Sequence, residues 1–131
     1  MSVASSILFL AVAAQAGWVE IDYKDADARF YVNTASMRVA GDKVYYWQKL
    51  VYAQARTVDG KPVSSEFNNA VIDCVAATQA FLYLSWYEDA NASGPLSKYQ
   101  FFSEKTVEYR PIVAASQADI ERKLVCGAQN K

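Results

Sequence analysis

Side chains able to do chemistry are sparse in this sequence, and the most versatile one is missing: its 131 residues include no histidine. That removes the usual general base near neutral pH, the commonest metal ligand and every Ser-His or Cys-His nucleophile. Two thiols remain, Cys74 and Cys126, too far apart in sequence to form a C-x-x-C redox pair. Asp22, Asp25 and Asp27 gather carboxylates as a calcium loop would. No glycine lies inside that stretch, however, and no bidentate glutamate follows at EF-hand spacing, so a solvated turn is the simpler reading. Glu66, Glu88, Glu104 and Glu108 supply further carboxyls, but an acid pair of the glycosidase kind needs a separation that spacing alone does not display. Asn91-Ala92-Ser93 matches a glycosylation acceptor and reads as a polar loop. The residues therefore point to no catalytic set, no metal site and no cofactor.

The chain around these groups fits one domain with a single core. Thirteen basic and fourteen acidic residues leave no polybasic footprint for nucleic acid or an anionic membrane. Nine Tyr, six Phe and three Trp suit half-buried strands whose rings pack while their polar edges reach water. Residues 7–14 read ILFLAVAA, too short to span a bilayer, and Ala14-Gln15-Ala16 follows as an A-x-A cleavage site. Residues 1–16 are therefore expected to be a signal peptide and 17–131 one exported domain, periplasmic, cell-surface or secreted, with no membrane span after cleavage. In an oxidising compartment Cys74 and Cys126 are expected to form a disulfide, which would restrict the unfolded chain by roughly 4 kcal/mol; two buried free thiols are the alternative.

The elements that would position these groups are mostly strands. Trp18–Tyr23 alternates polar and apolar residues, Arg29–Asn33 makes a second strand, and Thr34-Ala35-Ser36 reads as a short turn. Met37–Val39 and Lys43–Tyr52 flank an Ala40-Gly41-Asp42 hairpin signal, and Asp59-Gly60 before Pro62 marks the next reversal. Phe67–Ala76 and Phe81–Tyr87 follow as paired strands, then a polar loop at Asn91–Pro95 and weaker strands over Leu96–Tyr109. From Ser116 the period changes to helical. Ser116 and Asp119 resemble a capping box, Ile120 and Leu124 share an inner face, and Glu121, Arg122 and Lys123 are expected outside. This predicts an α+β domain: a small antiparallel sheet of about five to six strands with one C-terminal helix at 116–126 packed on it.

Strand alternation places Cys74, Ile72 and Ala76 toward the helix. It also separates Leu82, Leu84 and Trp86 from a second set of Phe81, Tyr83 and Tyr87. If the aliphatic set meets the helix, Phe81, Tyr83 and Tyr87 remain as a candidate surface for a protein partner or a homodimer. A structural or small-ligand domain without protein partners is the competing reading.

In order along the chain come Trp18, Phe30-Tyr31-Val32-Asn33, and Ser36 ahead of the Gly41 hairpin. Trp47 follows in a long strand, then Asp73-Cys74, Pro111, Ser116 and finally Cys126. This succession resembles the surface-adhesin protein E family of exported proteobacterial proteins, from Trp18 to Cys126. The resemblance implies an antiparallel sheet with a disulfide-linked C-terminal helix, and a non-enzymatic binding role in the bacterial envelope. Its best-known member is a host-matrix adhesin, so a host matrix protein is the partner implied.

Overall fold

The computed structural model describes residues 17–25 and 27–129. The expected signal peptide, residues 1–16, lies outside them. Among the described residues, seven strands and one helix follow in chain order: β1 Trp18–Glu20, β2 Ala28–Ala40, β3 Lys43–Val58, β4 Lys61–Asp73, β5 Thr78–Tyr87, β6 Leu96–Phe101, β7 Arg110–Pro111 and α1 Gln117–Gln129. β1 to β6 form an antiparallel meander, and β7 pairs with β5 beside β6.

Local chemistry sets the reversals. Gly41-Asp42 joins Ala40 to Lys43 with Gly41 at φ +61°, and Asp59-Gly60 joins Val58 to Lys61 with both residues at positive φ. These left-handed conformations match the twist of tight hairpins and come at little steric cost to glycine. At the third reversal the Asp73 carboxylate accepts the N–H groups of Val75 and Ala76, ending the strand. Ala76 therefore sits exposed in a turn rather than on the expected continuation of β4. The expected break at Thr34–Ser36 appears instead as a register shift between Asn33 and Arg38 within one continuous β2.

The core lies between the sheet and α1. Phe30 and Val32 of β2, Val44 and Tyr46 of β3, and Ala70 and Ile72 of β4 meet Val125 and Cys126 of the helix. Ser116 caps α1 by accepting the N–H of Asp119, while the Asp119 carboxylate accepts the N–H of Ala115, one residue outside the expected reciprocal box. Cys74 and Cys126 are disulfide-bonded with Cα atoms 5.8 Å apart, so the end of the helix is tied to the turn that follows β4.

Two expectations about faces change. Glu121, placed outside by the sequence pattern, is fully buried against the sheet beside Val125, because polar residues on β3 and β5 rise to meet it. In β5 the pairing shifts from Asn69 opposite Tyr83 to Ala70 opposite Phe81, which makes Leu82 an extra, bulged residue. Such a bulge inverts the side-chain alternation. Phe81 thus packs toward the helix-side core, whereas Tyr83 points to the opposite face.

Candidate functional site: a row of rings across the open sheet face

Directly opposed residues of antiparallel strands share a face. The pairings Trp18–Asn33, Asn33–Trp47, Trp47–Asn69, Asn69–Tyr83 and Tyr83–Phe101 therefore draw one row across six strands, on the face away from α1. Rings come from odd-numbered strands and asparagines from those between, until Phe101 closes the row. Alongside it, Tyr31, Lys49 and Phe67 are cross-strand neighbours, and Tyr99 lies opposite Ser85.

The rings touch. Trp47 stacks on Phe67 at 4.7 Å with 12° between planes, Trp18 lies 5.9 Å from Phe67, and Trp47 meets Tyr83 edge-on at 6.1 Å. Tyr83 continues to Phe101 at 4.6 Å, and Phe101 to Tyr99 at 5.7 Å. The Lys49 ammonium sits 4.9 Å from the Trp18 ring centre and 5.3 Å from that of Tyr31, a cation–π placement that leaves a positive charge within an apolar band. Exposure rises toward β6: Tyr99 is 57 % and Phe101 70 % accessible.

Two loops flank this band. At one end Ser65 donates to the carbonyl of Asp89, and Ala90 and Asn91 close a depression of about 510 Å³ with Trp18, Tyr31, Lys49 and Val51. That loop is held by the Asp89 carboxylate, which accepts the N–H groups of Asn91, Ser93 and Gly94; these donors keep it below the ordinary carboxylate range. At the other end Glu104 accepts from the hydroxyls of Tyr45 and Tyr109, and Lys43 lies 3.8 Å from Glu104. Between the loops, among the described residues, the rings are left open.

Of the three ring residues singled out from sequence, Tyr83 lies in the row. Tyr87 shares its face opposite Ser65, and Phe81 is on the helix side. Trp18, Trp47, Phe67, Tyr99 and Phe101 were legible as strand aromatics but not as one surface.

The carboxyls weighed for chemistry are dispersed. Glu108 pairs with Arg110, and Asp25 accepts the N–H of Asp27 as a turn would. Glu121 is buried and Glu66 half-buried. Glu121 accepts from the Tyr46 hydroxyl and from the side-chain amides of Gln48, Gln117 and Gln79; Gln48 in turn accepts from Asn68, which also donates to Glu66. Burial pushes both carboxyls above their ordinary range, the amide and hydroxyl donors only partly opposing it. This chain of neutral donors is a satisfied polar core under the helix.

Solved structures share this fold, three of them as follows. Crystal form II of Haemophilus influenzae protein E aligns with a TM-score of 0.69 at 10 % identity, covering 89 % of this chain and 92 % of its own. The Se-Met form of Haemophilus influenzae protein E gives 0.65 at 10 % identity, over 86 % and 88 % of the two chains. Protein E from non-typeable Haemophilus influenzae gives 0.64 at 11 %, over 88 % and 79 %. No curated protein matches the sequence. Residues 18–127 match the family described as "Surface-adhesin protein E", a span running from the first ring of the row to just past the disulfide-bonded Cys126. The chain therefore belongs to the surface-adhesin protein E family.

Proposed function

We propose that this chain is an exported, adhesin-like binding module of the bacterial envelope that grips a protein partner through the aromatic band and uses no catalysis. The observation that carries this reading is the connected series of rings from five of the strands between β1 and β6, ending in the exposed Tyr99 and Phe101. Large rings with few rotatable bonds supply contact area at low entropic cost, and such residues dominate protein interfaces. Lys49 and the asparagines of the row add polar handles that would fix register. Family membership supports a surface location and a host matrix protein as partner. The A-x-A site after the apolar run supports cleavage before Gly17.

The test is binding of the mature domain to immobilised host matrix proteins, comparing wild type with the double variant Tyr99→Ser/Phe101→Ser. Both side chains are exposed, so the fold should survive. Loss of these anchors is expected to weaken binding at least about tenfold. Equal binding by the two proteins, or binding by neither, would overturn the reading. Mass spectrometry of the exported protein, with and without reductant, checks the cleavage point and the thiol state in one measurement.

A further inference from the structure

β6 and β7 both pair with β5, at opposite ends of that strand, and the connecting residues 102–109 cross its edge between them. With β5, this crossing lines an open pocket of about 430 Å³, the size of a small-molecule site. Phe81, Leu84, Phe102 and Val107 make it apolar. Phe81 reaches it only because the Leu82 bulge turns that ring to the helix side.

One polar group in the lining is fixed in orientation. The Gln79 amide nitrogen donates to the Tyr46 hydroxyl at 2.7 Å and to Glu121 at 3.4 Å. The Tyr46 hydroxyl gives its proton to Glu121 and therefore accepts from Gln79, which orients the amide with its nitrogen toward that pair and its oxygen away. Gln79 Oε1 makes no hydrogen bond among the described residues, and Gln79 lines the pocket, so its acceptor is available to a molecule held there. Glu108 and Arg110, also in the lining, pair with each other at 3.5 Å and offer no net charge.

We infer that this pocket is a second binding site, separate from the aromatic band, for a small neutral molecule with an apolar ring and one hydrogen-bond donor directed at Gln79 Oε1. A charged ligand would lose hydration against four apolar walls and gain no unpaired counter-charge. An apolar molecule without a donor would displace water from that acceptor and leave it unmatched.

Indole carries a ring and a single N–H, and 1-methylindole is the same ring with the donor blocked. Titrated into the folded, ¹⁵N-labelled protein, indole should shift the amide signals of Gln79, Phe81, Phe102 and Val107 saturably. 1-Methylindole should bind about five- to tenfold more weakly. Val107→Trp should fill the pocket and abolish the shifts while leaving the thermal midpoint near that of wild type. Should that variant unfold, Leu84→Met, which reshapes the wall at similar volume, should change the indole affinity instead. The inference is overturned by any of three results: no saturable shift up to the solubility limit of indole, equal affinity for the two ligands, or shifts centred on Trp47 and Phe101. Loss of protein-partner binding on blocking the pocket, with no indole binding by wild type, would assign the pocket to a protein side chain and equally overturn it.

Discussion

Replacing Cys74 and Cys126 together by alanine removes a cross-link between residues 52 apart in sequence. By chain entropy alone, freeing a loop of that length in the unfolded state costs about 4 kcal/mol of stability at 25 °C. That is a large share of the roughly 5–15 kcal/mol typical of a domain. The native contacts around the bridge need not change much. Ile120, Leu124 and Val125 still pack on the sheet, and Glu121 still receives its four donors. With a urea m-value of about 1–3 kcal/mol/M, the midpoint should fall by about 2 M. Urea unfolding followed by tryptophan fluorescence reports on the sheet through Trp18, Trp47 and Trp86, and circular dichroism at 222 nm reports on α1. The two transitions should remain coincident. A loss below about 1 kcal/mol would refute the unfolded-state account. So would a helix signal that disappears before the fluorescence changes, since the bridge would then act by clamping α1 locally.

Stability should peak in mild acid. Asp119 is held down to about 2 by the Ala115 N–H and then by Arg122 and Lys123, so its contribution is complete above 3.8 and lost as pH falls from there through about 2. Glu121 runs the other way: burial raises its carboxyl above 4.5, so stability is complete below 4.5 and declines as pH rises through the raised value. Urea midpoints across pH 2 to 8 should therefore pass through a maximum near about pH 4, and Glu121→Gln should flatten the alkaline limb; an unchanged limb would assign the decline elsewhere. Ser116→Ala removes the acceptor for the Asp119 N–H and should cost about 1 kcal/mol in thermal or urea unfolding. Trp47→Ala strips the ring that contacts both Phe67 and Tyr83. It should destabilise by about 2–4 kcal/mol in the same assay and weaken partner binding as well, whereas Tyr99→Ser/Phe101→Ser should affect binding alone.

The reversals at Gly41 and Asp59-Gly60 and the helix start at Ser116 were legible because each depends on a few adjacent residues: positive φ at a glycine, or a hydroxyl beside free N–H groups. The disulfide was legible because two cysteines in an exported chain leave one pairing. The lack of histidine in these 131 residues was readable directly and leaves the chain without imidazole for a nucleophile's base or a metal ligand. What tertiary structure decided was where the rings and the buried acid go. One residue of slip at Leu82 sends Phe81 to the pocket and Tyr83 to the open face, and alternation counted along β5 is blind to it because the bulge is defined only by the pairing with β4. Glu121 reads as an outer residue on a helical wheel until Tyr46, Gln48 and Gln79, from two different strands, converge on it. The aromatic row likewise exists only in the register of six strands, whose members lie up to 83 residues apart, from Trp18 to Phe101. Turn and cap chemistry is short-range and written in neighbouring residues; a surface assembled across a sheet is long-range, and only the folded pairing brings its parts together.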